Sequence, residues 1–151
     1  MPSPSRLLVA LALALPLAAC AGPGAQKVPW PDEHAAVAAD RCRVYMLRED
    51  VVPGSTRQVR VLDGEDEVGT LGEGQYLCWE RKPVQGVGSL YFEGFAPKLR
   101  AVENVFDLPR EAGTTTWFVV SIPHSGHQPE ARKVSAEEGR ALLAQRKPAG
   151  R

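Results

Sequence analysis

The chain has no excess charge of either sign: 18 Lys and Arg stand against 18 Asp and Glu in 151 residues. Nucleic-acid binders normally carry a basic surplus to meet phosphates, so no nucleic-acid partner is expected. Aromatic residues are sparse at 7%, and there are only three cysteines, none in a Cys-x-x-Cys pair. His-Glu-x-x-His and Gly-x-Ser-x-Gly are absent, which removes two common hydrolase signatures. The longest apolar run, Leu7 to Leu15, is about half of the ~20 residues a bilayer-spanning helix needs. What the chain does have is 44% hydrophobic residues, 14 Gly and 13 Pro. That composition describes one folded domain built from short elements and many turns.

The amino terminus has the features of a secretory signal peptide: Arg6 as a basic start, the short Leu/Ala run, and small residues at its end. Leu17-Ala18-Ala19-Cys20 matches the lipobox of bacterial lipoproteins. This resemblance implies diacylglycerol on the Cys20 thiol, cleavage before it, and an N-acyl chain on the new amino group. Two or three acyl chains give an essentially permanent anchor, at ~0.8 kcal/mol per buried methylene. Ala21 follows rather than Asp. Under the enterobacterial sorting rule that comes with the resemblance, this favours the outer membrane, facing the periplasm. Removing residues 1–19 takes away only Arg6 among the charges, so neutrality belongs to the mature chain.

Residues 21–31 lack periodicity and are rich in Pro, Gly and Ala, so residues 20–40 are expected to form a lipidated tether ending in a short helix. The helix is expected over Asp32 to Ala39, with Pro31 at its start and acids in its first turn. His34 reads as an exposed residue on it.

From residue 41 to 147 the rhythm is that of strands. Cys42 to Arg48 alternates, Val44 and Met46 on one face, Tyr45 and Leu47 on the other. Gln58 to Leu62 leads to a hairpin signal at Asp63-Gly64 and a return strand over Glu67 to Leu71. Glu73-Gly74 turns into Gln75 to Glu80, and Gly88 to Phe92 and Leu99 to Leu108 follow. Thr114 to Ile122 is the best strand, rich in β-branched and aromatic residues, and is expected to be central. Ser135-Ala136-Glu137-Glu138 is a capping-box signature for a C-terminal helix that Pro148 stops. Gly139 inside it costs ~1 kcal/mol relative to Ala. Ala141, Leu142 and Gln145 are expected to pack against a sheet edge, and residues 148–151 to be a disordered tail. The expected fold is a single small antiparallel β-sandwich with a short C-terminal helix.

This order of motifs resembles a family of small bacterial lipoproteins that carry one β-rich domain of unknown function behind a lipobox. The residues that match are Arg43 to Arg48, Asp63-Gly64 with Val68-Gly69 and Leu71, and Gly74 with Tyr76. Further on, Glu111 to Thr114 leading into Trp117-Phe118-Val119, and Glu137-Glu138-Gly139 with Leu142, also match. The family has no established catalytic residues to carry over.

Five stretches of the sequence carry residues with potential for chemistry. Cys42 and Cys78 remain once Cys20 is lipidated; an oxidising periplasm favours a disulfide between them, the alternatives being two buried thiols or a redox or metal site. His124-Ser125-Gly126-His127 is the one catalytic-looking cluster. Its histidines are weak metal candidates without further ligands, and the simplest reading is a polar loop. Gly69 to Gly74 lacks the ending of a phosphate loop, and the acidic run Asp63 to Glu67 lacks calcium-loop order. Trp30, Trp79 and Trp117 are read as packing residues more readily than as a sugar platform. No catalytic set, metal or cofactor is expected beyond the acyl chains on Cys20. The expectation is a non-enzymatic binding or envelope-assembly module meeting an envelope protein or peptidoglycan. The rivals are a hydrolase or metal-dependent enzyme using the His124 loop, and a small-ligand or inhibitor-binding domain.

Overall fold

A computed structural model describes residues 27–49, 57–93, 104–123 and 128–150. The strands are β1 (Cys42–Arg48), β2 (Val59–Asp63), β3 (Asp66–Leu71), β4 (Gln75–Arg81), β5 (Val87–Phe92), β6 (Asn104–Asp107), β7 (Thr115–Ser121), β8 (Glu130–Val134) and β9 (Lys147–Pro148). The one helix among the described residues, α1, is Ala136–Leu143. Two sheets pack face to face, with orders β8-β7-β1-β4-β9 and β3-β2-β5-β6. The β-sandwich with a short C-terminal helix is therefore the observed architecture. It is not purely antiparallel: β1 pairs with β7, and β4 with β9, in parallel. Parallel neighbours need a long crossover, and here the chain visits the second sheet between β1 and β7.

All seven residues of β1 are buried, because both faces of the five-stranded sheet are covered. On the inner face Val44, Met46, Leu77, Trp79, Phe118 and Val120 meet Val59, Val61, Leu71, Leu90, Phe92 and Phe106 of the other sheet. On the outer face Tyr45, Leu47, Cys78 and Trp117 are packed by Trp30, Tyr76, Val134, Leu142 and Leu143. The expected alternation of β1 is correct, and both of its faces are core. β7 lies between β8 and β1, an interior strand as its composition suggested.

The hairpin after β2 turns on Gly64-Glu65, with Asp63 still paired to Asp66. Gly64 takes φ +63° and no described non-glycine residue has positive φ. Glycine at the first central position suits a primed two-residue turn, which leaves Asp63 free to point a carboxylate from the strand end.

Helix α1 differs from expectation in length and placement. Ser135 Oγ accepts the Glu138 amide at 3.1 Å, which is half of a capping box. The Glu138 carboxylate turns instead to Arg132, 3.0 Å away. The helix stops at Leu143, and it lies on the outer sheet face with Leu142, Leu143 and Gly139, while Ala141 and Gln145 are exposed. A Cβ on Gly139 would meet the Trp117 ring at 2.5 Å. The glycine that weakens the helix is what lets it reach the sheet.

Both ends of the described chain are more ordered than a tether and a tail. The Ala149 amide donates to Tyr76 O at 2.8 Å, and Ala149 is 2% exposed. Pro148 fits there because β9 is an edge strand. At the other end Lys27 bridges Glu67 of β3, with the Val28 amide donating to Glu67 O at 3.0 Å. No helix forms over 32–39. The Asp32 side chain instead accepts the His34 amide at 3.0 Å, a local bond that competes with helical pairing. No described helix is long and apolar enough to cross a membrane.

Candidate functional site: a charged cleft beside an N-terminal strap

Residues 27–35 form a strap that runs from the β3 edge onto the outer face of β1 and β4. Its main anchor is Arg43, 5% exposed, whose guanidinium donates to Asp32 O, Glu33 O and Ala35 O at 2.9–3.1 Å. The same group pairs with Glu80 across the ladder at 2.6 Å. Carbonyls that a helix would have used internally are thus taken by a buried cation, the physical reason the expected helix is missing. The Glu33 carboxylate adds a second clasp, accepting from Trp30 Nε1 at 2.9 Å and from the Tyr76 hydroxyl at 3.1 Å.

Beside the strap lies an open cleft of about 630 Å³. Its floor is a hydrogen-bonded set at the ends of β2 and β4. Asp63 accepts from Trp79 Nε1 and Arg81 Nε, each at 2.9 Å. Arg81 also donates to Val84 O and Pro109 O at 2.9 Å, so the ion pair is rigidly placed and largely buried. Removing one partner of such a pair leaves an uncompensated buried charge, worth about 3–5 kcal/mol. Lys27, Arg41, Lys82, Asp66 and Glu80 complete the charged lining. A smaller hollow of about 300 Å³ on the strap's other side is lined by Val28, Trp30, Val68 and Leu77.

The expected disulfide does not form: Cys42 and Cys78 are both free and buried. Cys42 is opposite Arg81, whereas Cys78 is opposite Tyr45, three residues further along β1. An odd offset puts the two thiols on opposite faces of one sheet, where no rotamer brings the sulfurs together. Cys42 Sγ lies 3.5 Å from Pro109 O, and burial raises its pKa. Burial pushes the Cys78 thiol up to about 12. Both are therefore protonated at neutral pH and poor nucleophiles.

The three tryptophans do not share a surface. Trp79 is fully buried in the inner core, while Trp117 stacks on Tyr45 on the outer face, centroids 4.3 Å apart at 8°. Trp30 lies in the strap, tilted against Tyr76 at 5.7 Å. Cys20, His124, Ser125 and His127 lie outside the described residues. Among the described residues no group of three or more His, Cys, Asp or Glu is placed to hold a metal. The acidic run resolves into parts: Asp63 pairs with Arg81, Glu67 lies 3.8 Å from Arg60, and Asp66 faces the cleft.

Sequence reasoning missed the Arg43–Glu80 and Asp63–Arg81 pairs. The available signal was charged residues inside otherwise apolar strands, in Cys-Arg-Val-Tyr and Cys-Trp-Glu-Arg. No family model matches the chain, and no curated protein matches it either.

Proposed function

We propose that the protein is a lipid-anchored lipoprotein of the outer membrane, facing the periplasm, that acts as a non-enzymatic binding or envelope-assembly module. The observation that carries this reading is Leu17-Ala18-Ala19-Cys20, whose cysteine stands seven residues before Lys27, which among the described residues bridges β3. A chain of seven residues spans at most about 25 Å. Lipid on Cys20 would therefore hold the sandwich close against the bilayer rather than on a long leash. The cleft beside the strap and the apolar hollow behind it then face the envelope as binding surfaces. An envelope protein or peptidoglycan is the partner class in this reading.

The test is a comparison of the full chain with its Cys20→Ser variant in a Gram-negative host. The mature wild-type protein is expected to begin at Cys20 and carry diacylglycerol and N-acyl mass, with the variant retained as uncleaved precursor. A wild-type chain cleaved elsewhere, or carrying a free Cys20 thiol, overturns the anchor. Replacing His124, Ser125 and His127 together is expected to leave any envelope phenotype of a deletion strain fully complemented. Failure to complement by a folded variant would favour the enzymatic rival.

A further inference from the structure

We propose that the cleft beside the strap is a docking site for the headgroup phosphates of an anionic phospholipid surface. The inference rests on the lipid-anchored reading and adds which side of the domain meets the membrane and through which residues. Lys27, Arg41, Lys82, Asp63, Asp66 and Glu80 are among the charged groups lining the cleft. Two of the three carboxylates already have guanidinium partners: Asp63 has Arg81 at 2.9 Å and Glu80 has Arg43 at 2.6 Å. Arg41 has only a loose contact with Asp40, at 3.9 Å, and Asp40 is 79% exposed. What faces outward is therefore three cations against Asp66, on a molecule whose overall charge is zero.

Position names the occupant. Lys27 lines the cleft and is the first of the described residues, seven positions after Cys20, so the site lies within about 25 Å of the Cys20 backbone. That distance is the upper limit of the reach; the leaflet's field falls off within about one Debye length, roughly 8 Å, so it acts on the cleft when the short tether lets the domain rest against the headgroups. The cleft is also open to solvent. Its rigidity comes from Arg43 and Arg81, which are buried and occupied by protein partners, leaving the lysines free to reach phosphate.

The experiment uses the lipidated full chain in vesicles and follows amine acylation of individual lysines by mass spectrometry. Lys133, on β8 at the far edge of the five-stranded sheet, is the internal reference. In vesicles containing phosphatidylglycerol, Lys27 and Lys82 are expected to react about fivefold more slowly, relative to Lys133, than in pure phosphatidylcholine. Equal ratios in the two vesicles overturn the docking site while leaving the anchor intact. Equal protection by inorganic phosphate in detergent overturns the assignment to a bilayer surface and makes the cleft a soluble-anion site. The mass of the Cys20 peptide from the same digest reports the anchor separately; a chain without acyl mass overturns both.

Discussion

Gly139 shows how one residue can be unfavourable locally and necessary globally. In an exposed helix, Gly→Ala stabilises by about 1 kcal/mol. Here the new methyl would enter the Trp117 ring, so Gly139→Ala is expected to destabilise by about 1–3 kcal/mol, read as a lower urea midpoint. A raised midpoint would mean that the helix does not press on Trp117. Cys78 makes a second prediction at this scale. Its folded pKa of about 12 lies above the reference value of 9.0, so the folded state binds the proton more tightly. The stabilisation is fully present below pH 9 and is lost as pH rises through about 12. The buried Tyr45 hydroxyl, whose pKa is also raised, adds a slope of the same sign. Cys78→Ala is expected to flatten part of the fall in stability above pH 9, measured by denaturant unfolding across pH. An unchanged slope would place Cys78 in water.

At the scale of elements, the strap is the part whose structure rests most on a single side chain. Arg43 supplies hydrogen bonds to three backbone carbonyls and to Glu80. Arg43→Met keeps the apolar stem but leaves Glu80 and the carbonyls unmatched. The expected cost is about 3–5 kcal/mol. Hydrogen exchange should rise first at the Val28 amide, which donates to Glu67, ahead of the β1 and β7 ladder. Retained protection at Val28 would show that the β3 edge holds the strap alone. The strands were legible because periodicity and turn residues are local signals: Asp63-Gly64, Glu73-Gly74 and Thr115–Ser121 each lie where alternation and glycine placed them. The loss of the helix expected over 32–39 was not legible, because its local preference lost to a cation, Arg43, that is downstream in sequence and packed beneath it in space.

At the scale of the whole molecule, the two sheets differ in what covers them. The five-stranded sheet is sealed on its outer face by α1 and the strap, and its β4 edge is partly closed by β9. The outer edge at β8 is dressed with charge, where Glu130, Arg132 and Lys133 are interspersed with Ala131 and Val134. Both ends of the described residues, at Lys27 and at β9, meet β3 and β4, and the cleft and the apolar hollow lie beside the first of them.

By itself the sequence determined the class of fold, most strand positions and the capped helix, all of which are written in contiguous residues. Tertiary structure alone decided which face each thiol occupies, because a ladder register is a relation between distant strands and an offset of one residue reverses it. It also decided the ion pairs. In the sequence Asp63 stands only as part of a hairpin signal and an acidic run, and Arg43 only as one residue of an alternating strand. Only the packing of strap, hairpin and sheet brings each to its partner, since burial makes an unpaired charge too costly to leave alone.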